Sequence, residues 1–125
     1  MNRKLILQIY EAFADRLKIE IKKPFTETNF QGVLAIFNHT DPKIHTLLSF
    51  YESANQNVLF FEKEKEMRIK FPEIWRIQLQ QAKESSDLLK TQIIELGTKH
   101  KVDIEQIFND YERKSLSLED FSQIV

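Results

Sequence analysis

Cysteine is absent from the sequence, glycine occurs twice and proline three times. Without cysteine there is neither a disulfide framework nor a thiolate zinc site, and the chain fits a reducing cytoplasm. With glycine only at Gly32 and Gly97, no G-x-G-x-x-G turn, Walker A loop or G-x-S-x-G elbow can be built. So few turn formers also disfavour an all-β fold, whose hairpins and bulges need them. No apolar run is long enough to span a bilayer, so no membrane helix is expected. The opening MNRKLILQIYEAF begins with basic residues, but Glu11 and Asp15 follow too soon for a secretion signal.

What is present is an ordinary globular composition. The 125 residues are 42% hydrophobic and 30% charged, enough for one domain, residues 1–125, with its own core. The net charge of −1 conceals a gradient. Residues 1–23 hold six basic and three acidic side chains, whereas residues 102–125 hold six acidic and two basic ones. The two ends can therefore attract each other within one fold, or steer a charged partner.

The pattern is helical throughout. Between Pro72 and Gly97, Trp75, Leu79, Ala82, Ser86, Leu89, Ile93 and Leu96 recur at alternating spacings of four and three, which are the a and d positions of a coiled-coil-like heptad. Pro72 suits the first helical turn and Gly97 the position just past the last. Leu5, Ile6, Ile9, Tyr10, Phe13 and Leu17 stripe a first helix from Asn2 to about Lys18. Residues 17–23 alternate with period two, but with no partner strand they read as a fraying continuation of that helix up to Pro24. Thr28 to Gln31 has the form of a capping box for a short second helix. Asp41-Pro42 restarts the chain into a helix of about 42–70, with a break at Asn55–Asn57 as the alternative. Asp103 caps another helix, with Gln106 completing its box, and Ser117–Asp120 begins a last short one. The expected fold is all-α, a bundle of five to six helices in which 42–70 and 72–97 are long and antiparallel.

Catalytic and metal signatures are missing. His39, His45 and His100 share no i, i+4 spacing, there is no HExxH, and no ExxH supports a di-iron carboxylate bundle. Glu62-Lys-Glu-Lys-Glu66 reads as a solvated face. Asp103 to Phe121 echoes a calcium loop, but Arg113 and Lys114 stand where ligands belong and the central glycine is absent. No cofactor is expected and no enzymatic activity is assigned.

Two binding surfaces stand out. Leu59, Phe60 and Phe61 are consecutive and cannot all face one core, while Ile74, Ile77 and Leu88 lie off the heptad seam. Trp75 between Arg68 and Arg76 has the composition of a binding hot spot. The expected function is a protein–protein interaction module, an adaptor, inhibitor or assembly subunit, acting on another protein or on a second copy through Phe60, Arg68, Phe71, Trp75 and Arg76. The alternative is auxiliary nucleic-acid binding through Lys18, Lys22, Lys23, Lys99 and Lys101.

Overall fold

The computed structural model describes residues 2–21 and 25–124, with side chains described over residues 3–21 and 25–114. Among the described residues it holds six α-helices and no strand: α1 (Asn2–Leu17), α2 (Phe30–Thr40), α3 (Pro42–Lys63), α4 (Lys65–Lys70), α5 (Pro72–Lys99) and α6 (Ile104–Ile124).

The local chemistry explains most boundaries. Asp41 caps α3 by accepting from the Ile44 N–H at 3.3 Å, and Pro42 occupies the first turn, where its missing N–H costs nothing. Asp103 does the same for α6, accepting from the Gln106 N–H at 3.1 Å. The Gln106 amide reaches forward to Asp110 at 2.8 Å, so it does not close the expected box. Ahead of α2, the side chain that closes the turn is Asn29, which accepts from the Thr26 N–H at 2.8 Å. The cap therefore lies earlier than the Thr28 box because a 3-10 turn over Glu27–Asn29 intervenes.

Three other expectations are corrected. α1 stops at Leu17 and does not fray onward. Lys18 turns left-handed with φ 59°, and the Ile19 N–H closes onto the Ala14 carbonyl at 2.9 Å, a Schellman ending. The helix from Pro42 runs unbroken through Asn55–Asn57 but stops at Lys63, not near residue 70. Glu64 leaves the helical region (φ −75°, ψ 105°) and its carboxylate accepts from the N–H groups of Glu66 and Met67, starting α4. Finally, α6 is one helix through Ile124, where two had been expected; the side chains of Phe121 and Ile124 lie outside those described.

The core occupies one end of the molecule. Ile6, Ile9, Tyr10 and Phe13 of α1 pack with Phe30, Val33 and Phe37 of α2, Ile44 and Leu48 of α3, Ile93 of α5, and Ile104 and Phe108 of α6. Arg3 ties three helices together at its edge: its guanidinium meets Glu52 at 2.7 Å and lies 4.0 Å above the Phe30 ring. Lys90 fastens α6 through Glu112 at 2.6 Å. Burial pushes the Tyr10 hydroxyl well above the usual tyrosine range, with the Glu52 carboxylate adding in the same sense, and burial likewise raises Tyr51. Both groups belong to this head.

Between Ala54 and Ser86, by contrast, no residue is buried. The second half of α3, α4 and the first half of α5 project from the head as a helical arm. Its two long helices are antiparallel, because Ser86 Oγ donates to Asn55 Oδ1 at 3.1 Å near the base while Trp75 Nε1 donates to the Phe61 carbonyl at 2.6 Å near the tip. From Pro72 to Ser86, α5 alone extends about 22 Å.

Candidate protein-docking surface

The arm carries apolar side chains that its own structure leaves uncovered. Ile69 is 79% exposed, and Phe60, Phe71, Ile74 and Ile77 are each more than half exposed. On α5 the cause is geometric. At 100° per residue, Ile74, Ile77 and Leu88 fall within about 60° of one another, on a stripe roughly 130° from the heptad seam. The seam faces α3, so the second stripe faces outward. In the head, neighbouring helices cover several faces of α5; on the arm only α3 and α4 do.

The tip is held together from inside. Pro72 pushes Phe71 out of the helical region (φ −136°, ψ 64°), and the chain reverses there into α5. The break at Glu64 makes the reversal compact. In an unbroken helix the Phe61 carbonyl would be taken by the Lys65 N–H, and the turn would lie about 13 Å beyond Phe61 while α5 returns only about 6 Å by Trp75. As built, the indole N–H satisfies that carbonyl and the Arg68 guanidinium lies 5.2 Å from the centre of the Trp75 ring.

The five residues singled out as an interface all lie on the arm, in two groups. Arg68, Trp75 and Arg76 line one shallow cleft of about 410 Å³ with Pro72 and Glu73, and Phe71 precedes Pro72 at its edge. Phe60 lies apart, stacked edge-on against Phe61 at 5.3 Å and bordering a second groove with Gln56, Leu59, Lys63 and Glu64. Trp75 is half-buried and its N–H is already engaged, so it fastens the tip. Ile69 was not anticipated as a surface residue; its adjacency to the Phe71-Pro72 reversal was the available signal. Phe50, 58% exposed on α3 beside the buried Tyr51, was also missed, although its position one residue off the seam is readable.

The arm tip is nearly neutral. Over residues 62–76, Lys63, Lys65, Arg68, Lys70 and Arg76 stand against Glu62, Glu64, Glu66 and Glu73, and Lys70 pairs with Glu66 at 2.8 Å.

The basic residues separate differently. Lys18, Lys99 and Lys101 converge where α1 and α5 end, joined by Arg16; Lys22 and Lys23 lie outside the described residues. Lys18 itself stands just past the end of α1 at Leu17, in the turn that closes the helix. Among the described residues no group of three His, Asp or Glu is placed to hold a metal, and no helix is long and apolar enough to cross a membrane. His39 is exposed, whereas His100 stacks edge-on against Phe13 and lies 3.7 Å from Asp41.

Compared with protein-family models, with curated proteins and with solved structures, the chain matches none.

Proposed function

We propose that the chain is a protein-docking module that presents the tip and outward face of the arm to a helical surface of another protein, a second copy included. The observation that carries this is the cluster of Ile69, Phe71, Ile74 and Ile77, more than half exposed on a projection that contributes nothing to the buried core. Exposed large apolar side chains concentrated on one projection among charged groups are a mark of an interaction site. The near-neutral rim suits a partner of mixed charge and gives only weak repulsion between two copies. Arg68, held over the Trp75 ring, and Arg76, paired with Glu73 at 3.9 Å, supply a polar border of the kind that excludes water around an apolar centre.

The test compares the wild-type chain with an Ile69→Ser, Ile74→Ser, Ile77→Ser variant. Self-association is followed by sedimentation, and a protein co-purifying with the tagged chain is identified, purified and titrated against both forms. The expected result is a complex that the variant weakens at least ~10-fold, the scale of losing hot-spot contacts. Equal affinity for both forms would overturn the reading. So would a wild-type chain that neither self-associates nor retains any partner sensitive to these substitutions.

A further inference from the structure

Far from the tip, about 40 Å away along α5, α1 and α5 end side by side. Both endings are Schellman turns, and both place a lysine where the backbone is left-handed: Lys18 at φ 59° and Lys101 at φ 60°. The Ile19 N–H closes the first onto Ala14 at 2.9 Å and the Val102 N–H closes the second onto Gly97 at 2.8 Å. Glycine is the usual residue at such a position because it has no Cβ to clash. Two lysines hold it here, each at a cost of roughly 1 kcal/mol in backbone conformation.

The same two lysines border one open cleft of about 430 Å³. It is lined by Arg16, Leu17, Lys18, Lys99, His100 and Lys101, with no carboxylate among them. The three lysines make no ion pair among the described residues. Arg16 Nε donates to the His100 carbonyl at 3.0 Å, which locks the two helix ends together and fixes its guanidinium at the cleft. Asp41 pairs with His100 at 3.7 Å and lines no part of the cleft; Asp15, Glu20, Glu95 and Asp103, close in sequence, line none of it either.

A helix C-terminus attracts a cation through its unsatisfied carbonyls. These ends need little of that. Ala14, Leu96 and Gly97 carbonyls already accept backbone N–H groups, and Arg16 takes His100. Four cations lining one cleft without a carboxylate exceed what the two helix ends require, and the surplus is available to a ligand.

We propose that this cleft binds the phosphate backbone of duplex nucleic acid, independently of sequence. The cleft is open, and its four cations are long, exposed side chains, which suits a repeating row of phosphates better than a single enclosed one. Its lining holds no phenylalanine, tyrosine or tryptophan, and its one aromatic group, the His100 imidazole, is packed edge-on against Phe13, which favours a duplex over a single strand. Binding is local, because the whole chain carries a charge of −1, and so it is modest and strongly salt-dependent.

The experiment is fluorescence anisotropy of a short labelled DNA duplex of arbitrary sequence, titrated with the full chain at several salt concentrations. Four phosphate contacts give a slope of log affinity against log salt of about −3.6. Lys18→Gly with Lys101→Gly removes two contacts, so the slope becomes shallower by about 2, while the melting temperature stays level or rises because glycine suits both turns. Lys18→Gln with Lys101→Gln removes the same charges without altering the turn strain, and loses binding equally. The proposal is overturned if the wild type shows no salt-dependent duplex binding, or if both double variants bind as it does. Binding to anionic lipid vesicles with none to the duplex also overturns it. The docking arm is untouched by these substitutions, so the two proposals fail separately.

Discussion

Gly97 is needed for what lies against it. It sits inside the last turns of α5, buried, with ordinary helical φ. A Cβ there would meet the Ile104 side chain and stand 2.9 Å from the Val102 carbonyl. Glycine thus lets α6 begin directly against α5, and Ile104, 1% exposed, is the side chain that fills the space. Gly97→Ala should cost roughly 1–3 kcal/mol, the range for overpacking a site that cannot relax, measured by urea denaturation. An unchanged midpoint would mean that the start of α6 can slide away. The sequence marks this glycine but not its use, because a glycine near a helix end serves equally as a left-handed cap or as a point of close approach. The real left-handed caps, Lys18 and Lys101, carry no sequence signal, since the expected residue there is glycine or asparagine. Arg16 was overlooked for another reason: that the ends of α1 and α5 meet is a tertiary fact.

At the scale of elements, α5 was the most legible. Its seam repeats regularly over six intervals, Pro72 marks its start, and the helix runs unbroken to Lys99. The break at Glu64 was hidden. No glycine or proline announces it, and Glu62 to Glu66 satisfies a helix as well as a cap. What selects the break is a contact distant in sequence, the Trp75 indole on the Phe61 carbonyl at 2.6 Å. Trp75→Phe keeps an aromatic ring at the site and removes the donor together with the pyrrole half of the indole. The expected loss is about 0.5–1.5 kcal/mol, confined to the tip, with amide exchange quickening in Lys65–Lys70 before it does in α1 or α2. Exchange in α4 left unchanged would show that the indole does not fasten the turn. A polar contact fixes the other end of the arm: Ser86 on the seam donates to Asn55 at 3.1 Å, and Asn55 in turn donates to the Tyr51 carbonyl at 3.0 Å. These two bonds hold the α3–α5 register where the arm leaves the head.

Across the whole molecule, periodicity shows which face of a helix is apolar but not how many neighbours will cover it. The heptad seam is uniform in sequence, yet Ile93 and Leu96 are buried whereas Trp75, Leu79 and Ala82 are only half-buried. The difference is the number of helices around each stretch, which only the assembled fold determines. The second stripe, Ile74, Ile77 and Leu88, was visible as a departure from the seam, and the structure leaves Ile74 and Ile77 in solvent along the arm and Leu88 exposed just past its base. An all-α bundle followed from scarce turn formers and helical spacing; the division into a packed head and a thin arm did not, because nothing in the local pattern distinguishes them. That division underlies the docking reading. It is tested most directly by the thermal melt, followed by circular dichroism, of the isolated Ile69→Ser, Ile74→Ser, Ile77→Ser variant. Serine and isoleucine have similar helix propensities, so the comparison reports burial. If the tip is free in the isolated chain, the melting temperature shifts by no more than about 3 °C, within the effect of surface substitutions. A fall of more than about 10 °C would place these side chains in a core and contradict the account.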